Sequence, residues 1–201
     1  MSAAKSISPE TRDAILTAAW QLIAAQGRTD VSQSDIAKSA GVSRQTVFYA
    51  FGNRAGLLTA MAAHHDDHSP LLARLNDISR NAPPTVEGLT DFLSAWLDYL
   101  PEVFPVASLL DAAALTDPDA KAAIENRMVG RLLAGLTARM TAMAKAGTLV
   151  QGRDPARTAE AIWELIHVPA WRLLVVDRGW TAEEFRQSRL ALAIHLVTSA
   201  P

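Results

Sequence analysis

The chain has 201 residues, 49% hydrophobic and 20% charged, with a net charge of −2 and no cysteine. That balance suits one large or two small globular domains with a real core, and it excludes disulfides, thiol redox sensing and thiolate metal sites. No apolar run approaches the roughly 20 residues a membrane span needs, and the opening MSAAKSISPE has no apolar core for a secretory signal, so a cytoplasmic protein without membrane partners is expected.

Helix signals begin at Ser8, a cap followed by Pro9 at the first helical position and Glu10 beside the positive dipole end. Ile15, Ala18, Ala19, Leu22 and Ile23 then form one apolar stripe, and Gly27 stops the helix. Trp20 lies off the centre of that stripe, which leaves core burial or a face toward a second domain open. Ser32 opens the next helix, with Asp35 completing a capping pair and Val31 and Ile36 placed as a hydrophobic staple. Gly41 ends it, because glycine alone enters the left-handed conformation without a Cβ clash. The same grammar repeats at once, with Val42 before a cap at Ser43 and Thr46 and Val47 as its partners. Two capped helices around a short glycine turn make a helix-turn-helix, and the segment Ser32 to Phe51 reads as a DNA-binding unit.

Asn53 caps a fourth helix from Arg54 to about His65, with Leu57, Leu58 and Met61 on its packing side, before HHDDHSP breaks the pattern. A domain boundary falls there, giving residues 1–66 and 67–201. Beyond it the spacing predicts a helix over 86–100, a shorter one opened between Pro101 and Pro105 and running through Leu115, and a long one from Asp117–Pro118 to about Ala146. Asp154–Pro155 opens another, closing near Gly179 and kinked at Pro169, whose missing N–H leaves a carbonyl free. Thr181 with Glu184 is a capping box for the last helix. No alternating strand-length run appears, so the chain is read as all-α with about nine helices.

On the helix opened by Ser43, a step of 100° per residue puts Val47 and Phe51, with Ala50 beside them, on one side. Gln45 and Tyr49 lie opposite, flanked by Thr46 and Phe48. The first side is core and the second is free to enter a major groove. A glutamine amide matches adenine N6 and N7, and an aromatic edge the thymine methyl. Arg44 reaches a guanine or a phosphate, while Ser43 and Thr46 suit phosphate oxygens. Charge agrees with DNA contact at one end. Residues 1–63 hold Lys5, Arg12, Arg28, Lys38, Arg44 and Arg54 against Glu10, Asp13, Asp30 and Asp35, a sum of +2, which leaves −4 for the remainder.

The segments ILTAAWQLIAAQG and DIAKSAGVSRQTVFYAFGNRAGLL resemble the tetracycline-repressor (TetR) family of transcriptional regulators, and AEAIWELIH and RGW carry a looser likeness near the C-terminus. The resemblance implies an N-terminal three-helix DNA-binding domain followed by a helical domain for effector binding and dimerisation. It implies DNA contacts at Gln45, Thr46, Phe48, Tyr49 and Arg54. Three departures stand out. Phe48 takes the place of a usual Tyr, Ala50 that of a frequent His, and Arg54 that of the usual Lys, so two phosphate hydrogen bonds are lost and one cation is kept as a forked donor. It also implies that the last two helices pair across a two-fold axis, with Trp163, Leu190, Ile194 and Val197 offered to that face.

Trp96, Tyr99, Phe104, Met128, Trp163, His167 and Trp171 form an aromatic and methionine-rich set, suited either to plain core or to a pocket for a small hydrophobic effector with Glu164 and His167 as polar anchors. The expected function is a ligand-responsive regulator, a repressor, binding a double-stranded DNA operator as a homodimer, with no cofactor, no metal and no enzymatic activity. Two alternatives fit the sequence less well. A non-specific architectural DNA binder needs far more basic surface than −2 supplies. A helical metal enzyme on His64, Asp67 and His68 lacks an accompanying nucleophile–base spacing, phosphate loop or HExxH.

Overall fold

The structure, a computed structural model, describes residues 7–25 and 31–200. The stop expected at Gly27 and the charges of Lys5, Arg28 and Asp30 lie outside the described residues. Among the described residues there is no strand, and no helix is long and apolar enough to cross a membrane. The chain divides into two compact units, one of Met1–His68 with Pro105–Ala123 and one of Ser69–Phe104 with Ile124–Pro201. It therefore enters the first unit twice.

In the first unit, α1 (Pro9–Trp20) starts where the Ser8 hydroxyl accepts the Thr11 N–H, and it runs on into a π-helical turn at Gln21–Ala25. Ile15, Leu16, Ala19 and Ile23 are its buried side chains. Helix α2 (Gln33–Ser39) begins with the expected box, the Ser32 N–H donating to Asp35 Oδ2 at 2.9 Å and the Asp35 N–H to Ser32 Oγ at 3.2 Å. It ends with Gly41 at φ 67°, the Gly41 N–H donating to the Lys38 carbonyl and the Val42 N–H to the Ala37 carbonyl. That pair of bonds is a Schellman ending. Helix α3 (Arg44–Phe51) is capped by Ser43 and anchored through Val47 and Phe51. The first unit's core is thus the meeting of α1, α2, α3 and α4 (Arg54–His68) through Ile15, Ile36, Val47, Leu57, Leu58 and Met61.

Gly56 fixes the joint between α3 and α4. A Cβ there would stand 2.2 Å from the Phe51 carbonyl oxygen, a backbone atom that cannot yield without moving the end of α3. Gly56→Ala is therefore expected to cost about 1–3 kcal/mol, as overpacking does, read by thermal unfolding. Gly135→Ala is the control. Its Cβ meets nothing within 4 Å in the second unit, and removing a helical glycine should gain about 0.5–1 kcal/mol.

The expected end of α4 near His65 is corrected. The helix continues through HHDDH to His68, and what breaks it is Ser69 before Pro70, in extended conformation. A helix absent from the expectation follows, α5 (Pro70–Asn81), opened by the Ser69 hydroxyl accepting the Leu72 N–H at 3.2 Å. A second correction concerns Pro101 and Pro105, which open no new helix. They lie inside α6 (Val86–Ala113), a single helix of 28 residues. Being four apart, one proline's missing donor faces the other's carbonyl, so the damage stays on one face. The buried stripe Leu93, Leu97, Leu100, Val103, Val106 and Leu110 runs straight past both and holds the helix together.

Helix α7 (Pro118–Glu125) passes through a π-helical stretch, Asn126–Leu133, into α8 (Ala134–Ala146), where Gly147 at φ 73° ends it. Helix α9 (Pro155–Ile166) is capped by Asp154. The kink expected at Pro169 is replaced by a full break two residues earlier. His167 is extended (φ −71°, ψ 155°), and Pro169 falls in the first turn of α10 (Val168–Trp171), where no donor is needed. A π-helical turn, Arg172–Val176, leads to α11 (Ala182–Thr198). Its capping box forms as expected, and the Glu184 carboxyl is held below the usual carboxylate range by the Thr181 N–H and hydroxyl that it accepts.

Candidate nucleic-acid interface

Helix α3 presents its outer face intact. Val47 is fully buried, whereas Tyr49 is 72% and Phe48 56% exposed. Two large aromatic side chains left in solvent on one short helix call for a partner surface. Gln45 and Tyr49, one turn apart, are joined by a hydrogen bond in which Gln45 Nε2 donates to the Tyr49 hydroxyl at 2.9 Å. One N–H and the carbonyl oxygen of the amide remain, the pair an adenine edge requires. The Tyr49 and Phe48 rings stand edge to face at 6.4 Å.

Ser43 and Thr46 are also at the helix start, their hydroxyls 2.8 Å apart, with Ser43 Oγ accepting the Thr46 N–H at 3.0 Å. Arg44 is exposed in the first turn. The Arg54 guanidinium donates through Nη1 to the Val31 carbonyl, so it links the start of α4 to the entry of α2. Two positioning contacts had no signal in the sequence. Gln33 Nε2 donates to the Gly52 carbonyl at 3.0 Å, holding the end of α3 to α2. The Arg12 guanidinium lies 4.7 Å over the Phe51 ring, fixing the same end against α1.

The aromatic set of the second unit falls into three groups. Trp96, beside Tyr99 at 6.0 Å, donates its indole N–H to the Ile166 carbonyl at 3.1 Å, satisfying an acceptor that the end of α9 leaves over. Trp163 packs edge-on against His167 at 4.4 Å and donates its indole N–H to the Met128 carbonyl at 2.8 Å. Phe104 meets Trp171 at 6.2 Å, and Trp171 meets Phe185 at 5.1 Å. Trp96, Tyr99, Met128 and Trp171 are buried, while Phe104, Trp163 and His167 are half-buried. Phe185, fully buried, was not singled out from the sequence. Its position directly after the Thr181–Glu184 box, where a staple residue belongs, was the available signal. Of the residues offered to a two-fold interface, Trp163, Leu190 and Ile194 are half-buried, and Val197 is fully buried, its carbonyl accepting the Val150 N–H at 3.0 Å.

The histidines of HHDDH line the seam between α1 and α4. His65 stacks on Trp20 at 3.8 Å, which places Trp20 within the first unit. His68 Nδ1 and the His64 carbonyl are 2.7 Å apart, and His64 Nε2 lies 3.9 Å from Asp13 Oδ1. Among the described residues no group of three or more His, Cys, Asp or Glu side chains is disposed to hold a metal ion.

Comparison with known proteins meets this geometry. Residues 15–61 match the family model described as bacterial regulatory proteins, tetR family. The chain is 39% identical over 51 residues to the HTH-type transcriptional regulator AlkX of Mycobacterium tuberculosis (strain ATCC 25618 / H37Rv), an alignment covering 25% of this chain and 24% of that protein. A TetR-family transcriptional regulator from Rhodococcus sp. has a similar structure, with a TM-score of 0.68 and 25% identity over 96% of this chain and 100% of that one. So does the transcriptional regulator FadR from Bacillus subtilis in complex with stearoyl-CoA, with a TM-score of 0.65 and 22% identity over 94% of this chain and 99% of that one. A helix-turn-helix segment that matches the tetR-family model over residues 15–61 is thus carried on a fold shared, along nearly the whole chain, with TetR-family transcriptional regulators.

Proposed function

We propose that the protein is a ligand-responsive transcriptional repressor of the cytoplasm. It holds a pseudo-palindromic double-stranded DNA operator as a homodimer and releases it when a small hydrophobic or aromatic effector binds. Residues 1–66 form the DNA head and residues 67–201 the effector-binding and dimerisation domain. The observation that carries this reading is the exposed Gln45–Tyr49 pair on a short helix anchored behind by Val47 and Phe51. Ser43, Arg44, Thr46 and Phe48 flank the pair, and Arg54 supplies the cation at the start of α4.

A helix of eight residues reads only a few base pairs, so useful affinity needs two copies on one duplex. Trp163, Leu190, Ile194 and Val197 belong to α9 and α11, the two helices assigned to that pairing. Trp96, Tyr99, Phe104, Met128, Trp163, His167 and Trp171 are the residues assigned to the effector. The Bacillus subtilis FadR structure holds stearoyl-CoA, an acyl ligand, on a similar fold, which favours an apolar effector here. Release requires that the effector bind the DNA-free shape more tightly than the DNA-bound one.

Selection from a random duplex pool tests the reading. The purified chain is expected to retain a two-fold-symmetric motif and to sediment as a dimer. A lone monomer with no preferred duplex at low salt would overturn it.

A further inference from the structure

Helix α4 starts at Asn53, whose Oδ1 accepts the Gly56 N–H at 2.8 Å. The other end of that amide is not left to solvent. Its Nδ2 donates to Asp117 Oδ2 at 3.2 Å, across 64 residues of chain. Asp117 in turn caps α7, its Oδ1 accepting the Asp119 N–H at 2.9 Å and the Ala120 N–H at 3.1 Å. One carboxylate is therefore tied to the positive ends of two helices, held by three N–H donors on two elements.

We propose that Asp117 is an electrostatic gate on DNA binding, a positioning residue that sets a fixed negative charge beside the start of α4, where an operator phosphate would otherwise dock unopposed. This rests on the DNA-binding reading above. The N-terminus of a helix attracts an anion through its free N–H groups and its dipole. A backbone phosphate docked near Arg54 would take that role, and the Asp117 carboxylate competes for the same potential. The charge is not part of the helix-turn-helix. It sits at the turn between α6 and α7, and α6 begins in the second unit, which holds the residues assigned to the effector.

Asp117→Asn removes the charge and keeps the cap, because asparagine is as good a cap as aspartate, while its NH2 replaces the oxygen that accepts from Asn53, so that one bond is lost with the charge. With the duplex recovered by selection as probe, Asp117→Asn should bind about two- to fivefold more tightly at low salt, the scale of one like charge within a Debye length of a phosphate. The gain should vanish near molar salt, and the melting temperature should fall less than in Asp117→Ala. Asp117→Ala should show the same tightening together with a lower melting temperature from the lost cap. A purely structural role would give a change in affinity that salt does not screen. Unchanged or weaker binding by Asp117→Asn, beside a wild type that binds, would overturn the gate and leave the regulator reading standing. A wild type that retains no duplex would overturn both.

Discussion

Replacing Gln45 by alanine is expected to lower affinity for the selected operator by about 5- to 150-fold per half-site, the equivalent of about 1–3 kcal/mol for one bidentate base contact. The loss should be specific. The phosphate contacts proposed for Arg44, Ser43 and Thr46 are untouched by the change, so binding to a scrambled duplex should stay within about twofold. The geometry sharpens the expectation. Gln45 already spends one N–H on the Tyr49 hydroxyl at 2.9 Å, which fixes the plane of its amide before DNA arrives and lowers the ordering cost of pairing. Tyr49→Phe keeps the ring for apolar contact and removes only that restraint, so its effect should be several-fold smaller than that of Gln45→Ala. Fluorescence anisotropy on the selected and scrambled duplexes, at two salt concentrations, reads both. Equal losses on the two duplexes would mean that Gln45 holds backbone rather than base.

The largest effect on stability is expected at Phe185. Its side chain is fully buried, its ring stands edge-on to Trp171 at 5.1 Å, and the Arg189 guanidinium lies 5.3 Å over it. Arg189 has its Nε enclosed without a hydrogen-bond partner, and burial lowers the pKa of the group below its ordinary value. The ring therefore serves both as filler and as a π surface for a poorly solvated cation. Phe185→Ala removes both roles and should cost about 3–5 kcal/mol, a fall in melting temperature on the order of 6–20 °C for a chain of this size. Leu115→Ala is the contrast. At 87% exposure that change should stay within about 0.5 kcal/mol. A Phe185→Ala protein that melts with the wild type would show that the α10–α11 corner contributes little to the second unit's stability.

What could be read from residue order alone is the set of events closed within five residues. The caps at Ser8, Ser32, Ser43, Asn53, Asp154 and Thr181 each accept an N–H three residues on, and the Schellman ending at Gly41 closes within five. The outward pair Gln45 and Tyr49 belongs to the same class, since helical periodicity places both on one side and Val47 with Phe51 on the other. Ser69–Pro70 uses the grammar of Ser8–Pro9 and was legible too. The histidine and aspartate run before it breaks the apolar pattern, although nothing in that run lacks a helical N–H.

Tertiary structure decided the rest. Pro101 and Pro105 signal a helix start, and only the buried stripe from Leu93 to Leu110 keeps α6 whole across them. Pro169 signals a kink, yet the chain breaks at His167, where the Ile166 carbonyl turns to the Trp96 indole 70 residues away. The link between Asn53 and Asp117 likewise has no trace in either neighbourhood, for each residue is already explained as a cap for its own helix. Short-range hydrogen bonds compete only with the adjacent backbone, so residue order settles them. Contacts between distant residues depend on which apolar faces bury one another, and that choice is made by the whole chain at once.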